Sequence, residues 1–447
     1  MGFLLFVSAA AALLSAGFGL AVLVTRGRGE IRVGELVALS VLVGSLFVTL
    51  GWWGVALFAP DRWAVAVVTP ACFALGILGG VILRRTKPRL AGLALFAGFG
   101  LPIAAWIGWM AARSPFEWDG LFVWEMKAQA LMAGEGPHWS YFHDPSRSWS
   151  HPSYPLLVPV LRVWFYNWLG GPHEAYGKLS GTLFPLAAAG LLLGPLRHFG
   201  RGMSLCAFAL FVTTPLTVTG AGSATSGYAD YPLAVFYFGA VVFLLRSREG
   251  TPGDLVLAAV LAAALPWIKQ EGAVLFATCL VLAVFALGLA NWRRLLILAT
   301  PGVAVLLMWR LFQGVEAVES DRVFDTPVPG LLLEKLSLLD DVLGSCLRIS
   351  ANIHDWGFLW LLVPVAVAAG LGPRQRRETL LLATSVAAPV CLLASAYLFT
   401  RWQPMTEHVL YSFPRVLLQV SLPAIWLVAA RTASALSALR GARSLAR

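Results

Sequence analysis

Charged residues are scarce in this chain. Of its 447 residues, 13% are Asp, Glu, Lys or Arg and 58% are hydrophobic, whereas soluble domains carry about 25% charged residues. Cysteine is also rare, because the five cysteines are scattered without a CxxC pair. The sequence therefore predicts neither a disulfide framework nor a cysteine metal site. The motifs HExxH, GxSxG and GxxxxGK(S/T) are absent, which argues against zinc proteases, serine hydrolases of the α/β type and P-loop proteins.

Long apolar runs make up most of the sequence. Runs of about 20 residues recur from end to end, and each is long enough to cross a hydrocarbon core. Uninterrupted apolar runs exclude the alternating pattern of a membrane barrel, so the sequence predicts an all-α polytopic membrane protein with about 13 spans. The predicted spans are 3–24, 34–59, 63–83, 90–112, 177–196, 203–222, 230–245, 254–268, 272–290, 295–312, 356–372, 379–399 and 413–430.

The net charge of +10 is explained by topology. Alternate connections are short and basic, and together with the C-terminal tail they hold most of the 33 Lys and Arg residues. Cytoplasmic loops are enriched in these residues, so we expect the N-terminus outside, the C-terminus inside and no nucleic-acid partner. No basic residue precedes the first apolar run, so a secretory signal is not predicted. The expected location is the inner (plasma) membrane.

The informative polar sequence lies on the opposite side, above all in a long loop at 113–176. Residues 122–134 have a helical apolar stripe, which predicts an amphipathic helix in the membrane interface. Residues 155–171 are too short and too proline-rich for a span, so we expect a second interfacial or re-entrant helix.

Charged residues stand at the outer ends of several predicted spans. Asp119 follows the fourth span, Asp230 begins the seventh, Lys269 and Glu271 precede the ninth, and Arg401 opens the last external loop. Ionisable residues near membrane depth are costly and usually functional. The alternative is that the carboxylates only cap helices and the cations only anchor the interface. Their recurrence on one face favours a common site.

Carboxylates beside cations suit the transfer of a sugar from a polyprenyl phosphate. A carboxylate can take the proton of an acceptor hydroxyl as that hydroxyl attacks C1 of the sugar. Lysine or arginine can stabilise the leaving phosphate without a metal. A divalent ion would need several carboxylates to converge, and the sequence leaves open whether Asp119, Asp230 and Glu271 do so. No cofactor is predicted to be required, and a divalent metal is left open.

Four segments carry a resemblance to a known family. The chain resembles the GT-C superfamily of polytopic glycosyltransferases, near the branch of protein O-mannosyltransferases and lipid A aminoarabinose transferases, and more closely its bacterial members of unassigned specificity. The resemblance covers roughly residues 90 to 310, and it implies that Asp119, just after a membrane helix, is the catalytic base. The segments are WDGLFVWEMKAQAL (118–131), HPSYPLLVPV (151–160), GYADYPLAVF (227–236) and WIKQEG (267–272).

The chain departs from the family pattern at two positions. That branch often has a second acid after the catalytic Asp, but Gly120 occupies this place, so Glu117 or another acid must replace it. The aminoarabinose transferases have a phosphate-binding Lys where this chain has His151, and Lys127 is the alternative. The predicted donor-phosphate residues are therefore Lys127, His151, Lys269 and Arg401.

The resemblance implies three regions. Residues 1–89 hold three additional N-terminal spans, 90–312 the GT-C-like catalytic core, and 313–447 an external loop and three C-terminal spans. The predicted function is inverting transfer of a sugar from a polyprenyl-phosphate donor to a lipid or glycan acceptor on the extracytoplasmic face. The alternatives are a flippase or transporter of lipid-linked glycans and an O-antigen ligase or polymerase. The sequence identifies neither the sugar nor the acceptor.

Overall fold

A computed structural model describes residues 1–133, 140–251, 253–318, 324, 335–373 and 375–445. The chain is all-α apart from two three-residue strands. The first three helices are α1 (Gly2–Thr25), α2 (Val33–Ala56) and α3 (Asp61–Thr86). The strand β1 (Glu30–Arg32) precedes α2, and the strand β2 (Arg89–Ala91) follows α3. The two strands pair in parallel.

Helices α1 to α3 pack through glycines. A side chain on Gly17 would overlap the Ser40 carbonyl of α2, and one on Gly19 would overlap the Leu75 carbonyl of α3. Gly44 of α2 likewise faces the Leu13 carbonyl of α1. Close backbone approach at small residues is a common way for membrane helices to associate.

The remaining helices follow the predicted spans with shorter pieces between them. The fourth helix, α4 (Leu93–Arg113), contains a π-helical turn at Phe96–Gly100. Those that follow are α5 (Met126–Ala133), α6 (Leu157–Leu169), α7 (Glu174–Gly181), α8 (Leu183–Leu193), α9 (Arg201–Val212), α10 (Asp230–Ser247), α11 (Asp254–Ile268), α12 (Gly272–Leu287), α13 (Trp292–Val315), α14 (Leu339–Ser350), α15 (Leu359–Ala369), α16 (Arg376–Ser395), α17 (Met405–Gln419) and α18 (Ser421–Leu445).

Seven helices in the described part of the chain are long and apolar enough to cross a membrane. The bent pair of α17 and α18 makes eight if it is counted as one span. Four further apolar helices, α9, α11, α12 and α15, are shorter. The chain is thus mostly helical and compatible with a multi-pass membrane protein, whereas the total of about 13 spans and their orientation stay predictions.

Three predicted spans differ from the helices that form, and one of them, the span at 177–196, is divided at Thr182 between α7 and α8. The span at 203–222 ends early, because α9 stops at Val212 and Pro215 begins a separate turn; proline disfavours helix at the residue before it. The span at 413–430 is instead two helices that meet at 55° between Gln419 and Ser421. Pro423 lacks an N–H and its ring would clash with the Gln419 carbonyl of a continuous helix.

The loop at 113–176 forms a helix at each of the two predicted places, whereas its external position and the interfacial placement of these helices stay predictions. A π-helical turn (Gly120–Glu125) leads into α5, and α6 covers most of 155–171. Helix α6 is buried from Leu157 to Tyr166 and contacts α1 and α2. It is therefore enclosed by protein along most of its length.

Helix α10 is the centre of the molecule. All its residues are buried, and it contacts α8, α11, α12, α17 and α18. Eighteen residues of helix span about 27 Å, so Asp230 and Arg246 lie at opposite ends. At the second end, Arg246 and Arg28 bind both Glu35 and Asp254, and all four residues are buried. This quartet joins α2, α10 and α11.

Candidate functional site

Asp119 lies at the start of the π-helical turn, five residues beyond Ser114, which ends α4. Its backbone N–H donates to the Tyr228 hydroxyl at 3.0 Å, and the N–H of Glu117 donates to the Ser226 carbonyl at 3.2 Å. The acidic segment is therefore fixed against the connection between α9 and α10.

Gly120 explains why no second acid follows Asp119. A Cβ atom on residue 120 would overlap the Ser226 carbonyl oxygen. On the other side of this contact, Gly227 has φ of +82°, and a Cβ there would overlap the Phe116 ring. Any side chain at position 120 would push the two segments apart.

We expect Gly120→Ala to destabilise the protein and displace Asp119, because the added methyl group has no room beside the Ser226 backbone. Overpacking of this kind typically costs about 1–3 kcal/mol. Thermal unfolding of the purified protein measures the effect. Gly171→Ala is the matched control, because a Cβ there meets no atom within 4 Å. Equal unfolding temperatures for the two variants would contradict the tight contact.

Asp230 is the buried centre of an ion network. Its Oδ1 accepts hydrogen bonds from Lys269 Nζ at 2.8 Å and from Gln419 Nε2 at 2.7 Å. Its Oδ2 accepts one from Arg415 Nε at 3.2 Å. Lys269 also pairs with Glu271 Oε1 at 2.7 Å. Helices α10, α11 and α17 thus meet at one carboxylate, and α12 is connected to it through Lys269.

Arg415 connects this buried carboxylate to Asp119. Its Nη1 donates to Asp119 Oδ2 at 2.7 Å, and its guanidinium lies over the Tyr228 ring, 4.9 Å from the centroid. The side chain of Asp119 is 24% exposed and that of Arg415 15%, whereas Asp230 is fully buried. A ligand can therefore reach the ion pair of Asp119 and Arg415, as well as Glu271, whose side chain is 25% exposed, and Asp230 holds Arg415 in place.

The network, defined as Asp119, Arg415, Asp230, Lys269 and Glu271, contains three carboxylates and two cations. Oε2 of Glu271 is buried without a hydrogen-bond partner among the described residues. The network therefore has an excess of negative charge before any ligand binds.

Two groups beside the network have altered pKa values. Burial raises the pKa of the Glu117 carboxyl, and the charges of Lys178 and Arg415 oppose this effect. Burial, with the negative charge of Asp119, raises the pKa of Tyr228 to about 12. Tyr228 is therefore neutral at physiological pH and donates or accepts as a hydroxyl.

Lys127 and His151 form a neighbouring cluster. Lys127 is fully buried, and its Nζ donates to the carbonyls of His151 and Tyr154 at 2.8 and 3.1 Å. The His151 ring stacks on Tyr154, with 4.7 Å between centroids. Lys127 thus holds the HPSYP turn against α5, and this turn lies beside the Lys269 turn, because Gln270 Nε2 donates to Ser153 Oγ at 3.0 Å.

Arg401 is exposed in the connection between α16 and α17. Of the predicted site residues, the structure brings together Asp119, Asp230, Lys269 and Glu271. It places Glu117 beside them, and Lys127 and His151 in the adjoining turn.

Arg162 binds the backbone on both sides of the contact between Gly120 and Gly227. It is buried in α6, and its guanidinium donates to the carbonyls of Gly120 and Gly227. Glu125 accepts from Arg162 Nη1 at 3.3 Å and from the Tyr166 hydroxyl at 2.7 Å. A buried, fully bonded group of this kind fixes the backbone beside Asp119.

The four segments that carry the family resemblance meet at this site. Residues 118–131 contact 227–236 and 151–160, and 267–272 contacts both of the latter. Among the described residues, no group of three or more His, Cys, Asp or Glu side chains is arranged to hold a metal ion. The role of a divalent metal stays a prediction.

The sequence interpretation missed Arg415 and Gln419. Both fall inside the predicted span at 413–430. An arginine within an apolar span was the available signal, because intramembrane charges usually mark functional sites.

Comparison with protein families, with curated proteins and with solved structures finds no match to this chain. The resemblance to GT-C transferases therefore rests on the four sequence segments alone.

Proposed function

We propose that the protein is a membrane glycosyltransferase that uses a polyprenyl-phosphate sugar as donor. The observation that carries this proposal is the contact of Asp119 with Arg415 at 2.7 Å, in front of the buried Asp230. The contact joins a carboxylate and a guanidinium, the groups that we propose as the base and as the phosphate-binding cation, by one hydrogen bond at a partly exposed part of the network.

In the proposed reaction, Asp119 takes the proton of the acceptor hydroxyl as its oxygen attacks C1 of the sugar. The bond from C1 to the phosphate oxygen breaks, and that oxygen leaves with its electron pair on polyprenyl phosphate. Attack opposite the leaving group inverts the configuration at C1. A positioned carboxylate base typically contributes about 10²- to 10⁴-fold to such a step.

Arg415 stabilises the charge that grows on the leaving phosphate. Its guanidinium presents several donors in one plane, which suits phosphate oxygens. Binding of the donor phosphate draws Arg415 from Asp119 and frees that carboxylate to accept a proton. Lys269 stays on Asp230 and Glu271, so it holds the carboxylate behind Arg415. No metal is required in this scheme, and a divalent ion stays an optional addition.

The finer topology belongs to the same proposal. The chain crosses the inner membrane about 13 times in a GT-C-like arrangement, with the network on the extracytoplasmic side. The network lies at one end of α10 and the basic connections 26–32 and 246–249 at the other, which supports this orientation. The acceptor is a lipid or glycan hydroxyl on the outer side.

The test is turnover of a purified polyprenyl-phosphate-linked sugar by the protein in lipid vesicles. We expect the sugar to leave the lipid, by transfer or slow hydrolysis, with release of polyprenyl phosphate. Movement of intact donor across the vesicle would instead identify a transporter. Preference for a diphosphate-linked glycan would identify a ligase or polymerase. Either result would contradict the proposal.

A further inference from the structure

A polar cavity lies at the end of the molecule opposite Asp119. Its volume is about 590 Å³, and it lies between α9, α16 and α18. Its polar lining includes Arg201, Arg431, Gln375 and Glu378. Helix α18 begins beside Gln419, which binds Asp230, and Arg431 lies ten residues after its start. The cavity is therefore on the side of the basic connections.

The N-terminus of α9 opens into this cavity. Gly200, with φ of +141°, precedes the helix and provides no side-chain cap. The first N–H groups of a helix have no intrahelical acceptor, and a Cβ on Gly202 would meet no atom within 4 Å. Free N–H groups and the positive end of the helix dipole favour an anion at such a place.

Arg431 provides an independent observation. It is 5% exposed, yet it lines the cavity. Its Nη1 donates to Gln375 Oε1 at 2.6 Å and its Nη2 to Glu378 Oε2 at 3.2 Å, while Nε has no acceptor among the described residues. This Nε is itself buried, so an anion bound in the cavity would stabilise the guanidinium through its charge and not through a hydrogen bond to Nε.

The charges at the cavity favour an anion overall. Arg201 is exposed at its edge, while Glu378 partly neutralises Arg431. Two guanidinium groups and a helix N-terminus thus face one carboxylate. The rest of the lining is largely apolar, with Phe199, Met203 and Leu436. A ligand that satisfies both parts has a phosphate and hydrocarbon, as a phospholipid does.

We propose that this cavity binds the phosphodiester headgroup of an anionic phospholipid. The phosphate lies at the N-terminus of α9 between Arg201 and Arg431, and the acyl chains lie along the apolar lining toward the membrane. Basic pockets between helices on the cytoplasmic side of membranes commonly bind such headgroups. This site does not depend on the proposed transferase activity.

The test uses the full-length protein in detergent micelles and native mass spectrometry with phosphatidylglycerol or phosphatidylcholine. We expect phosphatidylglycerol to bind more tightly. Arg201→Gln and Arg431→Gln should each weaken its binding by about fivefold, because a cation near a membrane surface contributes about that factor. Arg293→Gln is the matched control, because Arg293 is exposed on the α13 end of the same side and does not line the cavity.

Three outcomes would overturn the proposal. They are equal binding of the two lipids, unchanged phosphatidylglycerol binding in Arg201→Gln, and complete displacement of phosphatidylglycerol from the protein by inorganic phosphate at millimolar concentration. The last would assign the cavity to free phosphate. Arg201 is exposed, so its variant keeps the test valid even if Arg431→Gln fails to fold.

Discussion

Replacing Arg415 with glutamine is expected to lower the proposed sugar transfer by about 10²- to 10³-fold, the usual effect of removing one group that stabilises transition-state charge. The physical reason is its position, since Arg415 is the partly exposed cation that contacts both Asp119 and Asp230. The rate of donor turnover under saturating donor measures the loss. Arg415→Lys should retain part of the activity, because it keeps the charge and loses the planar set of donors.

Comparison with Arg401→Gln shows which of the two arginines binds the donor phosphate. The sequence predicts Arg401 in the donor-phosphate set, whereas Arg415 makes the ion pairs with Asp119 and Asp230. We expect Arg401→Gln to have a much smaller effect than Arg415→Gln. Arg310→Gln, at an exposed position on α13, controls for the loss of a surface charge. Near-normal turnover in Arg415→Gln would remove this residue from the mechanism.

Replacing Asp230 with alanine is expected to destabilise the protein by about 3 to 5 kcal/mol, because it leaves Lys269 and Arg415 buried without their shared partner. The thermal unfolding midpoint in detergent should fall accordingly. Asp341→Ala is the control, because Asp341 is exposed in the first turn of α14. An unchanged midpoint would show that the buried ion pairs do not hold α10, α11 and α17 together.

A double-mutant cycle separates the ion pair of Asp230 and Lys269 from other effects of the substitutions. Asp230→Asn and Lys269→Met each remove one charge, and together they remove the pair. We expect the double variant to be more stable than the sum of the single losses predicts, since residues in one network couple by about 0.5 to 3 kcal/mol. Additive losses would show that the pair makes no direct contribution.

Much of the network was predictable, because its members lie at the ends of apolar runs. Once the spans are drawn, Asp119, Asp230, Lys269 and Glu271 must share one face. Hydropathy alone supplies this information, and it needs no knowledge of how the helices pack. The break between α11 and α12 at Lys269 was likewise visible as the polar turn IKQEG.

Other features depend on packing that hydropathy does not contain. Arg415 enters the network because α17 begins at Met405 and bends before Pro423, so a residue assigned to a span faces the site. The burial of Lys127 by carbonyls 24 and 27 residues away is a tertiary contact. The requirement for glycine at position 120 likewise comes from the Ser226 carbonyl, which belongs to a distant segment.

The central claim is that Asp119 is the base of a sugar transfer, and Asp119→Asn tests it most directly. This change keeps the shape of the side chain and removes its ability to accept a proton. Turnover of a polyprenyl-phosphate sugar should fall by about 10²- to 10⁴-fold, in a variant that still folds, and Asp341→Asn should be as active as the unaltered protein. Full turnover in a correctly folded Asp119→Asn variant would contradict the account.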